Sequence, residues 1–409
     1  MNVAVRSPLS LLALLVAALL SQGCVNKTVK TVNAAPAAHA QEELSSEELV
    51  NVNIAVFEPG IPEDPSEAEE AGIFPEVREA ESRYMAVALR RTLENTGYWG
   101  AVRVVPDKVD YSELLVTGEI VESSGYEMAL AVRAVDASGR VWLDQTYDAE
   151  AAELSYRQGD APADPFQAVY NRIADDLLAA RRARSAEELQ TVRHLSDMRF
   201  AEQLAPDAFA RYVESGDGRY RLNGLPADGD PLMARVERIR DRDYALIDAL
   251  DQHYRVFHDQ IDLAYADWRA ASYRETENLR ELESQSLTRK LLGAAAVIAG
   301  IVGAANANSG VEGAASQVAI IGGIGVFASG LEKGRESKIH AEALEELGRS
   351  LESDVEPRNV QLANQTVTLS GSAEAQFEEW QQLMRDIYAA ETGLIRDSGQ
   401  TPASGDDDR

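Results

Sequence analysis

QVAIIGGIGVFASGLEKG, residues 317–334, admits two incompatible readings. An apolar run entering a Gly-x-Gly-x-x-Ala turn at Gly323, Gly325 and Ala328 suits a strand that feeds a dinucleotide-binding loop. Small residues repeating at intervals of four suit instead one rod of a close-packed helical hairpin. The first reading makes an enzyme, the second a membrane-associated assembly component. A dinucleotide fold needs a second strand ending near an acidic residue that holds the ribose. Glu342, Glu345 and Glu346 lie at a suitable distance, but they sit in KIHAEALEELGRSLES, where Ile339, Ala343, Leu347 and Leu351 keep helical spacing. The second strand is missing from the pattern, and no nicotinamide or flavin cofactor is expected.

The hairpin reading also accounts for the sequence upstream. Leu291–Leu331 carries a single charge, Glu312, and divides into two apolar runs around NANSGVEG. Ala296, Gly300 and Ala304 recur every four residues, as do Ala315, Ala319 and Gly323, and Ile321, Gly325 and Ser329. That spacing lines small side chains along one helix face and lets backbones approach closely. Glycine in a helix interior costs about 1 kcal/mol relative to alanine, so tight packing or an apolar surround must offset it. Each run, roughly 15–18 residues, makes a helix shorter than a hydrocarbon core of about 30 Å. Arg289, Lys290, Lys333 and Arg335 flank the outer ends and can reach headgroups. The positive-inside rule would leave those ends in the cytoplasm, at odds with the export signal described next. Insertion into lipid and burial in an oligomer both remain open.

At the other end, Met1–Arg6 is a basic leader and PLSLLALLVAALL an apolar core of signal-peptide length. It runs into LLSQGC, with Gly23 before Cys24. This resembles a bacterial lipoprotein lipobox, which implies cleavage after residue 23 and lipid attachment to Cys24. Leu20 stands one place further from the cysteine than in the usual pattern. Cys24 is the sole cysteine, which rules out an intramolecular disulfide and a cysteine-rich metal site. More than one acyl chain gives stable anchoring. Val25, rather than Asp, follows the cysteine, and by the family's sorting rule this implies the outer membrane.

The chain has 409 residues, with 39 Lys and Arg against 68 Asp and Glu. Such an acidic surface excludes nucleic acid as a partner, because phosphates demand cationic patches. Residues 24–48, small and polar, read as a flexible tether. VNIAVF then alternates as a strand, and EVREAESRYMAVALRRTLENTG reads as a helix stopped at Gly97. AVRVVP is a short strand. Three antiparallel strands follow, turning at Gly125 and at DASG. Asp164, Pro165 and Gln167 predict a capping box on a last helix that buries Val169, Ile173 and Leu177. The order of elements, with VNIAVF and LLVTGEI as its most suggestive runs, resembles the α/β domain of the TolB amino-terminal region and CsgG-type secretion lipoproteins over residues 49–183. The resemblance implies protein–protein contacts in the envelope.

Residues 184–230 read as a helical connector whose ESGDGRY is a turn. From Leu232, Val236, Ile239, Leu246, Leu250, Tyr254, Phe257, Ile261, Tyr265 and Trp268 mostly follow three-and-four spacing, the seam of a long helix seeking a partner helix. The return segment, Glu332–Leu351, is much shorter, so the outgoing helix is expected to break or to find another partner. Residues 355–395 predict two short strands around Asn364 and a helix burying Phe377, Trp380, Met384 and Ile387. Ser398–Arg409 reads as a disordered tail.

His253 and His258, five apart, diverge by about 140° on a helix and cannot share a metal from one face, so packing or surface roles are expected of them. PEDPSEAEE lacks calcium-loop spacing and reads as a solvated loop. No catalytic motif emerges. The expected fold is α+β. It comprises a signal peptide (1–23), a tether (24–48), an α/β domain (49–183), a connector (184–230), and a coiled-coil stem (231–290). An apolar hairpin (291–331), a return helix (332–354), a β-hairpin plus helix (355–395) and a tail (396–409) complete it. The expected role is that of a lipid-anchored, homo-oligomeric scaffold, assembly or transport-accessory factor without enzymatic activity, with other envelope proteins as partners. A pore or secretion-channel subunit is the alternative.

Overall fold

The computed structural model describes residues 30–31, 35–42, 44–71, 73–156, 164–304, 358–362 and 365–392. The architecture is α+β. The body is a mixed sheet of β1 (Lys30–Thr31), β2 (Val52–Ala55), β3 (Val102–Val105), β4 (Leu114–Ser123), β5 (Glu127–Asp136) and β6 (Val141–Ala151) in the order β1-β6-β5-β4-β2-β3. β2 runs parallel to β3 and β4, the β4-β5-β6 meander is antiparallel, and β1 lies parallel to the end of β6. Between two neighbours, β2 is buried along its whole length, as expected of a central strand.

A short helix, α1 (Pro65–Glu70), sits in the acidic stretch that reads as a loop, and Asp64 Oδ1 accepts from the Ser66 amide at 2.9 Å just before it. α2 (Pro75–Thr96) starts on a proline and ends at Gly97, whose left-handed φ of 72° closes the cap. α3 (Gln167–Arg182) differs from its expected start: the N-cap is Phe166 and no side chain caps it. Asp164 Oδ1 instead accepts the Phe166 amide, while Gln167 reaches Thr92 and Asn171, so the capping box does not form. α4 (Ala186–Leu204) does carry a capping box, formed by Ser185 and Glu188. After the one-turn α5 (Pro206–Phe209) comes a hairpin of β7 (Val213–Gly216) and β8 (Arg219–Leu222). Asp217 and Gly218, both at positive φ, make its two-residue turn, the conformation Asp-Gly favours. Tyr220 and Leu222 pack on Ala137, Val192 and Leu195.

Two expectations change. The later part of the supposed tether is docked: Asn171 Nδ2 donates to the Ala35 carbonyl at 2.7 Å, Ala38 N to Asp175 at 2.9 Å, and Arg181 to the Glu48 carbonyl at 2.7 Å. Ala37 is buried there. The stem is also not a free coiled coil. α6 (Pro231–Ala304) runs unbroken, and its seam from Val236 to Trp268 belongs to the same core as the sheet. Its partners are α2, the edge strand β3 and, antiparallel to it, α7 (Ala373–Thr392): Tyr254 donates to Glu374 at 3.0 Å and Trp380 to Asp243 at 3.0 Å. Leu291–Ala304 continues α6 rather than starting a new helix. β9 (Arg358–Leu362) and β10 (Gln365–Leu369) form the expected hairpin before α7, which buries Phe377, Trp380, Met384 and Ile387.

Ile247 on α6 is fully buried, whereas Leu263 is 76 % exposed. Ile247→Ala should therefore cost about 2–5 kcal/mol in urea unfolding and Leu263→Ala nearly nothing. Equal costs would mean that α6 is not docked on the body as described.

Candidate functional site

The residues that set α6 in place are charged, and the sequence seam passes over them. Counting in threes and fours from Ile239 reaches Asp243, then Ile247, Leu250 and Tyr254. Asp243 is wholly buried and accepts from Tyr111 Oη at 3.2 Å and Trp380 Nε1 at 3.0 Å. Burial raises its pKa despite the neighbouring Arg240. Arg240 donates to Ser196 Oγ at 2.7 Å, and its guanidinium lies 4.6 Å from the centre of the Phe200 ring. One turn of α6 thus joins the Tyr111 loop, α4 and α7.

Two turns on, Asp251 Oδ1 accepts the Val104 amide at 2.8 Å and sits 2.8 Å from Arg90 Nε. Val104 lies on β3, the outer strand of the sheet, so the carboxylate takes an amide that another strand could otherwise pair with. Burial raises the Asp251 pKa, opposed by the amide and by Arg90.

Further along, α2 and α6 share a third cluster. Glu81 is wholly buried and accepts from Ser123 Oγ at 2.6 Å and Tyr265 Oη at 2.7 Å. Tyr84 donates to Asp262 at 2.6 Å, and its ring stacks on His258 with centroids 4.1 Å apart. Arg269, 2 % exposed, donates to Asp164 at 2.8 Å with its guanidinium 4.2 Å from the Tyr265 ring and 4.9 Å from that of Phe166. Beside it the β4–β5 turn touches α6 backbone: a Cβ on Gly125 would lie 1.9 Å from the Arg269 carbonyl oxygen, which only glycine avoids.

The arrangement fixes register. A slip of α6 by one turn moves every side chain about 5.4 Å and separates all three clusters at once. Among the described residues no group of three or more His, Cys, Asp or Glu is placed to hold a metal ion. His253 is half-buried and His258 is buried. An open cleft of about 340 Å³ between α4 and the β7–β8 hairpin pairs its own charges, Arg140 with Glu188 at 3.0 Å.

Of the residues singled out in the sequence, Ala296, Gly300 and Ala304 fall on the α6 backbone. Cys24, Ala315, Ala319, Gly323, Gly325 and Ser329 lie outside the described residues, as does the Gly-x-Gly-x-x-Ala stretch. No helix among the described residues is long and apolar enough to cross a membrane. No protein-family model matches the chain, and neither a curated protein nor a solved structure matches it.

Arg269→Ala should destabilise the fold by about 3–5 kcal/mol in urea unfolding, because Asp164 loses its partner in a buried site; a loss below about 1 kcal/mol would place the pair in water. His258 gives a pH signature. Burial, with Arg91 next, lowers its pKa from 6.5 to about 4. The unfolded chain therefore takes up a proton that the folded one refuses, so this contribution is full above pH 6.5 and is lost as pH falls towards 4, at most about 3 kcal/mol. His258→Phe keeps the ring and should flatten the wild-type decline between pH 6.5 and 4; an unchanged slope would mean that His258 titrates freely.

Proposed function

We propose that the protein is a lipid-anchored envelope component, acylated at Cys24 and facing the periplasm, which acts as a scaffold or as an assembly or transport accessory through protein–protein contacts. The observation that carries this reading is the mounting of α6. About ten turns, from Val236 to Tyr273, are locked in register against the body. The helix then continues to Ala304, about 45 Å further, and enters the apolar run at Leu291 without a break. A rigid mount with a long arm positions a distant segment; buried carboxylates and arginines do the holding. The element order of the body supports a TolB- or CsgG-like protein-binding domain, and the small-residue spacing of the arm supports self-association.

The continuity of α6 into its apolar run equally favours a second reading, a pore or secretion-channel subunit. Four measurements on the full chain test these readings. Palmitate labelling should disappear in Cys24→Ala, and labelling that persists would remove the anchor. In-cell crosslinking should trap a defined assembly. Protein reconstituted in bilayers should conduct no ions; reproducible conductance would favour the pore. Stoichiometric binding of a nicotinamide or flavin would revive the enzyme.

A further inference from the structure

A second face of α6 stays exposed after the helix has docked on the body. Leu263 follows Tyr254 by nine residues and so stands about 180° round the helix from the buried seam. It is 76 % exposed, more than any other large apolar side chain among the described residues. Val256, 40 % exposed, comes seven residues earlier, within about 20° of the same line. Ala245, Ala249, Ala266 and Ala270 continue this face, exposed or half-buried, and are too short to keep another helix away. A single exposed leucine is ordinary. Two large apolar side chains on one line of a helix, opposite the side already buried, mark a second contact.

The charges beside this face suit a second copy of the chain. Asp248 pairs with Arg103, Asp259 pairs with Arg91, and Asp262 accepts from Tyr84 at 2.6 Å. The acidic flank towards α2 and β3 is therefore already engaged, and a like copy is not repelled there. Adjacent residues on a helix stand about 100° apart. Asp241 and Arg242, both exposed, thus straddle the centre of the face, and so do Asp259 and Gln260. A two-fold axis parallel to α6 sets the left flank of one helix against the right flank of the other at equal height. Arg242 then meets Asp241 of the second copy, and Gln260 meets its Asp259, each contact occurring twice. An antiparallel pair centred between Val256 and Leu263 would instead bring Asp259 up to its own copy.

We propose that the protein dimerises through this face, α6 lying parallel to α6 of a second copy, with Leu263 against Leu263 and Val256 against Val256. The proposal goes beyond the assembly reading, since neither the Cys24 lipid nor any residue past Ala304 enters it. Exposed ion pairs add little affinity and mainly set orientation, so the leucine and valine supply the contact and the Asp241–Arg242 crossing sets its direction. The two α6 arms leave such a dimer side by side. The cost of Leu263→Ala given above for the single chain then depends on concentration, near zero in dilute protein and rising as the dimer forms.

The full chain carrying Leu263→Cys, at about 50 μM in detergent, is treated with a short bis-maleimide. A covalent dimer should form at least about fivefold more than with Leu225→Cys, whose exposed site lies in the loop after β8. The wild-type chain, whose only cysteine is Cys24, gives the background. Adding Asp241→Arg sets like charges across the axis and should cut the yield about threefold or more, and Arg242→Asp placed beside it should restore the yield. Three results overturn the proposal: no excess of cross-link at position 263, a yield indifferent to Asp241→Arg, or cross-links only in mixtures of Leu263→Cys and Val256→Cys chains, which would make the pair antiparallel. Each leaves palmitate labelling of Cys24 as it was, so the anchor reading stands or falls separately.

Discussion

The structure depends on one carboxylate meeting one amide. Val104 is on the outer strand of the sheet, and the side chain that accepts its N–H at 2.8 Å is Asp251 of α6. An outer strand without a neighbour invites pairing with another chain. A helix cannot supply a ladder of backbone acceptors, but it can supply one side-chain oxygen at the right turn. Arg90 balances the charge that this buries. With that contact made, the axial position of α6 is set, and Asp243 and Arg269 fall opposite Tyr111 and Asp164.

Both ends of the described chain then close on the same body. Residues 35–48 run down α3 before β2 begins, and α7 returns antiparallel to the first turns of α6, Glu374 beside Tyr254 and Trp380 beside Asp243. The part of α6 from Tyr273 to Ala304 therefore continues from a closed unit, in which α2 and α7 hold the earlier turns of the helix. A body closed in this way resists twisting of the arm, since any rotation of α6 must carry α7 and the sheet edge with it.

Much of the α/β body was legible because its signals are local. Gly97 at a helix stop and Gly139 in DASG take left-handed conformations where the pattern asks for them. The C-terminal helix showed its buried stripe for the same reason. The partner of α6 was not legible, since three-and-four spacing says that a face is buried and not what buries it. The clue lay in the gap between Ile239 and Leu246. A seam that skips a turn and places Asp243 in the vacancy, then sets Arg269 against Trp268, is a seam facing polar groups rather than a second copy of itself. The tether misled for a different reason: alanines and prolines are as compatible with lying in a groove as with solvation, and Ala37 is small enough to be buried there. The Asp-Gly pair at 217–218 is itself a local hairpin signal, since both residues must take positive φ in a two-residue turn.

A purely apolar seam would have held α6 at least as firmly, since desolvating charges offsets much of what their pairing returns. It would have held it less specifically. Leucines spaced in threes and fours find similar neighbours after a shift of one turn, and a helix of this length could then slide or exchange partners. Asp243 and Arg269 find theirs in one position only, because each meets a group that is not repeated a turn away: an indole, a loop carboxylate. The body therefore gives up some stability for a fixed length of projecting arm. A fixed length has value only where something must be met at a set distance, and that is the physical argument for reading this chain as a positioning device.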